Sequence, residues 1–200
     1  MTPDLLLFAD CETTGIPDFA APAEDPKQPR IASMAGILVE RQSRKVLTSW
    51  HLWVRPDGWE MPKELSDKMQ NGLTQEALLK YGVPIDLVLN LLLHAADRGA
   101  VPVFHNAHFD AKMLRIEFRR EFPEHPYANF DIAGGGLPTI CTYKSTPDEC
   151  RRARGDKKLG TVYTWLTGKA PPANAHSAMA DACMVRDVFF GLEDKGVEFK

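Results

Sequence analysis

The stretch FADCETTG, Phe8 to Gly15, places two carboxylates, Asp10 and Glu12, one residue apart at the end of the apolar run LLLFA. On an extended strand, side chains two positions apart point to the same face, so the two negative charges are held side by side. Such a pair is costly unless a cation sits between its members. Two further acids stand in comparable settings: Asp110, just after VPVFHN, and Asp181, behind His176 near the end of the chain. Each of these has an ordinary reading when taken alone. Asp110, near the first turn of a helix, reads as a capping carboxylate. Asp181 alone reads as part of a solvated helix face, and His176 alone as a surface residue before a helix.

The elements that must position these groups follow from the apolar pattern. Leu5 to Ala9 reads as a buried strand, and Ile31 to Glu40 and Val46 to Val54 as two more, with RQSR as a hairpin turn between them. Between the first two lies a segment from Pro17 to Arg30 with Pro17, Pro22, Pro26 and Pro29 and several acids, which predicts an inserted surface loop. From Pro62 the pattern turns helical, with TQEALLKYG as a short helix and PIDLVLNLLLHAADRG as a longer one. VPVFHN is then a fourth strand. AHFDAKMLRIEFRREF follows as an amphipathic helix, with Phe109, Met113, Leu114, Ile116, Phe118 and Phe122 apolar, and Lys112, Arg115, Arg119 and Arg120 on its polar positions. TICTYK predicts a fifth strand, and His176 to Leu192 a last helix. Three strands in hairpin order followed by alternating helices and strands imply an α/β protein, a mixed sheet with helices on its faces.

The bulk numbers set limits. At 200 residues, the chain is expected to be a single domain over residues 1–200, with the proline-rich insertion at about 17–30. A composition 44% hydrophobic and 26% charged is that of a soluble globular protein. The first apolar run is too short for a signal sequence or a membrane span, so a cytoplasmic address and no membrane partner are expected. Cys11, Cys141, Cys150 and Cys183 lack zinc-site or disulfide-framework spacing and read as reduced and structural. A net charge of −3 argues against coating nucleic acid through bulk positive charge, though not against an enzyme that grips a strand end. AGGGLP lacks the Lys and Ser/Thr of a phosphate-binding loop and reads as a plain turn.

Taken together, DCETTG, HNAHFD and HSAMAD, in that order, closely resemble the three motifs of the DEDD superfamily of 3′→5′ exonucleases. The histidine with four residues before Asp181 is similar to the DEDDh branch, which includes the proofreading subunit of the bacterial replicative polymerase, ribonuclease T and oligoribonuclease. The rival branch has a tyrosine with three residues before the acid, and no such pair precedes Asp181. The resemblance covers roughly Leu5 to Phe190 and takes in NGLTQEALLKYGVP, where Asn71 stands in place of the histidine of many members.

The resemblance implies a ribonuclease H-like mixed five-stranded sheet with helices on both faces. It implies a metal-dependent exonuclease that removes nucleoside 5′-monophosphates from the 3′ end of a nucleic acid, with single-stranded DNA favoured and RNA the alternative. Four carboxylates suit hard divalent ions, Mg²⁺ or Mn²⁺. Two such ions about 4 Å apart can stabilise both the attacking and the leaving oxygen at phosphorus. Asp10 would bridge both, Glu12 and Asp181 would complete one site, and Asp110 would help hold the other. His176, with an unperturbed pKa of about 6.5, is the expected general base. Thr14 is expected to meet the terminal nucleotide, Ile16 to wedge against its base, and Phe109 to help form the pocket. A polymerase or another replication or repair protein is the expected protein partner. A non-catalytic binding module on the same fold would lack one of the five residues, and all five are present.

Overall fold

The computed structural model describes residues 3–69, 72–129 and 138–199. Five strands form one sheet in the order β3-β2-β1-β4-β5. The central strand β1, Leu5–Thr13, pairs antiparallel with β2, Ile31–Glu40, and parallel with β4, Ala100–Phe104. β3, Lys45–Trp53, forms one edge against β2, and β5, Ile140–Cys141, the other against β4.

β1 explains why both faces are covered. Its alternating residues go to opposite sides, as the pleat requires. Leu7, Ala9 and Cys11 enter one apolar cluster with residues of α3, Ile85–Ala96, and α4, Ala107–Glu121. Leu6 and Phe8 enter another with Val185, Phe189 and Phe190 of α8, Ala178–Asp194. At about 1.5–3 kcal/mol for each fully buried large apolar side chain, both faces hold the strand rigidly. The short helices α1, Lys63–Met69, and α2, Gln75–Tyr81, lie in the chain between β3 and α3, and the Thr74 hydroxyl caps α2 by accepting from Ala77 N.

Three differences from the sequence reading have physical causes. β1 runs four residues past Ala9, because Asp10, Cys11 and Glu12 continue the ladder opposite Ala35, Met34 and Ser33. The acids therefore stand on the last regular rungs, just before the register shifts at Glu12/Thr13. TICTYK is mostly not a strand: it pairs only at Ile140 and Cys141, and Thr142–Ser145 form the helical turn α5. β4 ends at Phe104, so a longer β5 would have no partner, and Thr142 Oγ1 instead sits 3.2 Å from Phe104 O. The charge-rich stretch beyond it holds two helices, α6 (Asp148–Arg154) and α7 (Leu159–Thr167), whose Cys150 and Val162 pack with Val188 and Leu192.

The Pro17–Arg30 loop is tied down along its length. The buried Gln28 side chain accepts from Asp18 N at 3.0 Å and donates to Asp18 O at 2.8 Å and Pro22 O at 3.1 Å. From α4, Lys112 Nζ donates to Ala21 O at 2.7 Å, Arg119 pairs with Glu24 at 3.2 Å, and Arg120 donates to the carbonyls of Asp25, Gln28 and Pro29. Three cations expected on a solvated helix face thus fasten the insertion, and Lys112 is buried. Among the described residues, no helix is long and apolar enough to cross a membrane. Asn71 and most of AGGGLP lie outside the described residues.

Candidate active site

Asp10 and Glu12 are held by the ladder, and Asp181 sits in the first turn of α8, behind the cap in which Ser177 Oγ accepts from Ala180 N. Asp10, Glu12 and Asp181 each offer a carboxylate oxygen within 4.8 Å of the others. The structure thus brings together three of the four acids expected there. Asp110 stands slightly apart: it is 3% exposed in the first turn of α4, and its Oδ1 accepts from the Cys11 thiol at 3.4 Å. It is still the strongest charged neighbour of Asp10.

The electrostatics follow from burial without compensation. Burial, and then Asp110, Asp181 and Glu12, push Asp10 well above the usual carboxylate range. Burial with the neighbouring charges of Asp181 and Asp110 raises Glu12 to about 7, and burial raises Asp110 to about 7 despite the bonds it accepts. Burial also raises Asp181, partly offset by the His176 N–H that donates to its Oδ1 at 3.2 Å. An all-oxygen cluster whose members repel one another fits hard divalent cations, which take carboxylate ligands.

His176 is exposed and has a positive φ of 71°, and its N–H is directed to Asp181. Of the expected substrate contacts, Ile16 is 82% exposed and Phe109 is half-buried against the core. Thr14 is engaged: its N–H donates to Arg30 O and its hydroxyl oxygen accepts from Arg30 N, both at 2.9 Å, so it clasps the two ends of the insertion. Its hydroxyl hydrogen is left to donate.

Several residues that build the site escaped the sequence reading. Cys11 lies on the face of β1 opposite Asp10 and Glu12, yet it reaches Asp110. Asn106 precedes α4 in the left-handed conformation, φ 67° and ψ 48°, which asparagine tolerates better than most residues. That preference was the available signal for a turn presenting Asp110. His105 bridges Thr142 Oγ1 at 2.9 Å and Lys157 O at 2.8 Å, and burial lowers its pKa to about 4, keeping it neutral. Glu117, fully buried, takes Arg30 at 3.0 Å and Ile31 N at 2.8 Å, fixing the start of β2.

Comparison with known proteins agrees with this architecture. The nuclease domain of 3′hExo, a DEDDh family member bound to rAMP, superposes with a TM-score of 0.70 at 14% identity, over 100% of this chain and 97% of that one. Cell-death related nuclease 4 gives 0.70 at 18% identity, over 98% of this chain and 66% of the other. E. coli exonuclease I in complex with a dT13 oligonucleotide gives 0.67 at 18%, over 96% of this chain but only 41% of its own. No curated protein matches the chain. The model of the RNase_T family, described as exonuclease, matches residues 7–189. With that match over nearly the whole chain, and with the DEDDh motifs in place, the chain belongs to the exonuclease family, among the DEDDh 3′-exonucleases.

Proposed function

We propose that the chain is a metal-dependent 3′→5′ exonuclease that hydrolyses the terminal phosphodiester of single-stranded DNA, or of a DNA 3′ end, and releases a nucleoside 5′-monophosphate. The observation that carries the reading is the convergence of Asp10, Glu12 and Asp181 within 4.8 Å beside an exposed histidine. Asp10, Glu12 and Asp181, with Asp110, would hold two Mg²⁺ or Mn²⁺ ions. When bound, such ions lower the pKa of water and stabilise charge at phosphorus.

The chain's own groups do the rest. His176 accepts the proton of the attacking water at a ring nitrogen, and its exposure lets solvent carry that proton away. Ile16 and Phe109 bracket the terminal base, and Thr14 donates its hydroxyl hydrogen to the terminal nucleotide. Cys11 and the His105 bridge hold Asp110 and the turn before it in place. Ile16, 82% exposed, would abut the terminal base, and the reaction starts at a free 3′ terminus.

The test is one assay on end-labelled single-stranded DNA, duplex DNA with a mismatched end, short RNA and a closed single-stranded circle, with Mg²⁺ and with chelator. Mononucleotides should appear from linear DNA only with metal. Full activity in excess chelator, or cutting of the circle as fast as the linear strand, would sink the reading. Faster turnover of RNA would assign the ribonucleotide substrate instead.

A further inference from the structure

The Pro17–Arg30 insertion carries an exposed aromatic ring that the reaction above does not use. Phe19 stacks on His108 with ring centres 4.6 Å apart and planes 13° from parallel. Phe19 is 45% exposed, and His108, also exposed, lies in the first turn of α4, two residues before Asp110. Ile16, 82% exposed, is three residues before Phe19. We propose that the Phe19–His108 pair is a platform on which a nucleobase of single-stranded nucleic acid stacks, next to the nucleotide being removed. This rests on the exonuclease reading for its direction, since Ile16 stands three residues before Phe19 and Phe109 directly after His108.

Three observations carry it. First, the ring is held in place in advance. Gln28 ties Asp18 N and O, and Lys112 ties Ala21 O, so the two residues flanking the Phe19–Ala20 step are fixed from the core. The ring keeps 45% of its surface exposed while its stack on His108 fixes its orientation. Second, the loop's acids are engaged within the fold. Asp18 Oδ1 accepts from Ala20 N and Ala21 N, Asp25 Oδ1 accepts from Lys27 N, and Glu24 pairs with Arg119. Third, the loop also borders a hollow of about 470 Å³ that it shares with Thr14 and Ile16, lined by Lys27 together with Arg30, which is paired with Glu117, and Arg120, which donates to loop carbonyls. The insertion thus presents an aromatic surface and, at Lys27, a cation on one segment of chain.

Stacking needs a base free of its duplex partner and tolerates any sequence. The platform therefore selects unpaired 3′ ends without reading bases. Loss of one stacked base reduces affinity by about 5- to 150-fold.

The experiment is fluorescence anisotropy of labelled deoxyadenylates of one to six nucleotides, in Ca²⁺, with the wild type, Phe19→Ala and Phe19→Trp. The mononucleotide, which has no second base, should bind all three alike. The longer strands should bind Phe19→Ala at least fivefold more weakly, with Phe19→Trp restoring the affinity and a fully paired hairpin end showing no dependence on residue 19. Equal affinity of the wild type and Phe19→Ala for every length overturns the proposal. So does a change of sedimentation in Phe19→Ala without a change in binding, which would make the ring a contact between copies of the chain. Because binding is read without turnover, a strand bound through Phe19 but never hydrolysed would sink the exonuclease reading and leave the platform standing.

Discussion

The turn between β1 and β2 separates two buried charge systems built on opposite rules. At the start of β2, the fully buried Glu117 takes Arg30 through Nε at 3.0 Å and Nη2 at 3.0 Å, and Ile31 N at 2.8 Å, so its charge is matched and hydrogen-bonded. At the end of β1, Asp10, Glu12 and Asp181 crowd together with Asp110 beside them, and each has its pKa raised. The first system is complete within the chain and stabilises it. The second is unbalanced within the chain, because like charges desolvated together need either shared protons or a cation between them. The matched pair pins the insertion and β2, and that rigidity lets the strained cluster persist.

Breaking each system should therefore have opposite consequences. Asp10→Asn removes the most strongly opposed charge, so turnover should fall more than about 10⁴-fold, beyond the range of a single positioned acid or base, while the metal-free protein melts at a higher temperature. A large loss of metal-free stability would contradict the comparison. His176→Ala should lower turnover by about 10²- to 10⁴-fold and leave metal binding by calorimetry nearly unchanged, because the histidine is not among the clustered carboxylates. Should His176→Ala abolish metal binding, its assignment as the base is wrong. Glu117→Gln, by contrast, leaves Arg30 without its counter-charge and should cost about 3–5 kcal/mol, or roughly 6–20 °C in Tm. Its folded fraction should keep turnover within about tenfold of the wild type. Thermal melts read beside specific activity separate the two patterns.

The two systems were not equally legible in the sequence. Asp10 and Glu12 sit at the end of an apolar run, and DCETTG, HNAHFD and HSAMAD carry their spacing in the chain itself, so the acids and His176 could be picked out before any coordinates. The strands Ile31–Glu40 and Ala100–Phe104 and the helix Ala107–Glu121 were legible for a similar reason, since burial writes a period into the residues. Arg30 and Glu117 are 87 positions apart and lie in a loop and on a helix, with no local pattern linking them. The same holds for Gln28, whose bonds cross the insertion, and for Lys112, a lysine placed by periodicity on the wet face but fixed to Ala21 O by the loop above it. Helices α6 and α7 were hidden because their buried stripes are only a few residues wide.

Titration sharpens the contrast further. Glu12 and Asp110 have folded pKa values of about 7, against about 4 for unfolded carboxylates. The folded metal-free protein therefore binds more protons between these limits. Its stability is greatest below the unfolded value and is lost as pH rises through about 7, with Glu12 alone worth about 3 kcal/mol. His105 acts oppositely: with its folded pKa lowered to about 4, its stabilisation is complete above about 6.5 and is lost as pH falls through 4. Between pH 6.5 and 8 the acids dominate. Melting temperature in chelator should fall across that window, and it should fall less in Asp10→Asn or with Mg²⁺ present. A wild-type profile that is flat in chelator would mean that burial and the neighbouring acids do not raise these carboxylates.

The smallest effect should come from the one side chain that bridges an acid to the apolar cluster behind it. Cys11 packs at 7% exposure among residues of β1 and α4, and its thiol donates to Asp110 Oδ1 at 3.4 Å. Burial and the neighbouring acids push the thiol pKa well up, so it stays protonated and remains a donor at neutral pH. A thiol is a weak donor, and its contribution lies in orienting Asp110 more than in binding energy. Cys11→Ala should therefore cost about 1 kcal/mol or less of stability and leave turnover at saturating Mg²⁺ within about threefold. The concentration of Mg²⁺ needed for half-activity should rise a few-fold, because Asp110 loses the contact that aims one of its oxygens. Cys11→Ser keeps a donor and should retain the wild-type metal curve, even if a hydroxyl in that apolar setting lowers the melting temperature. If the three proteins give superimposable metal titrations, Cys11 is packing alone, and Asp110 is oriented by α4 without help from β1.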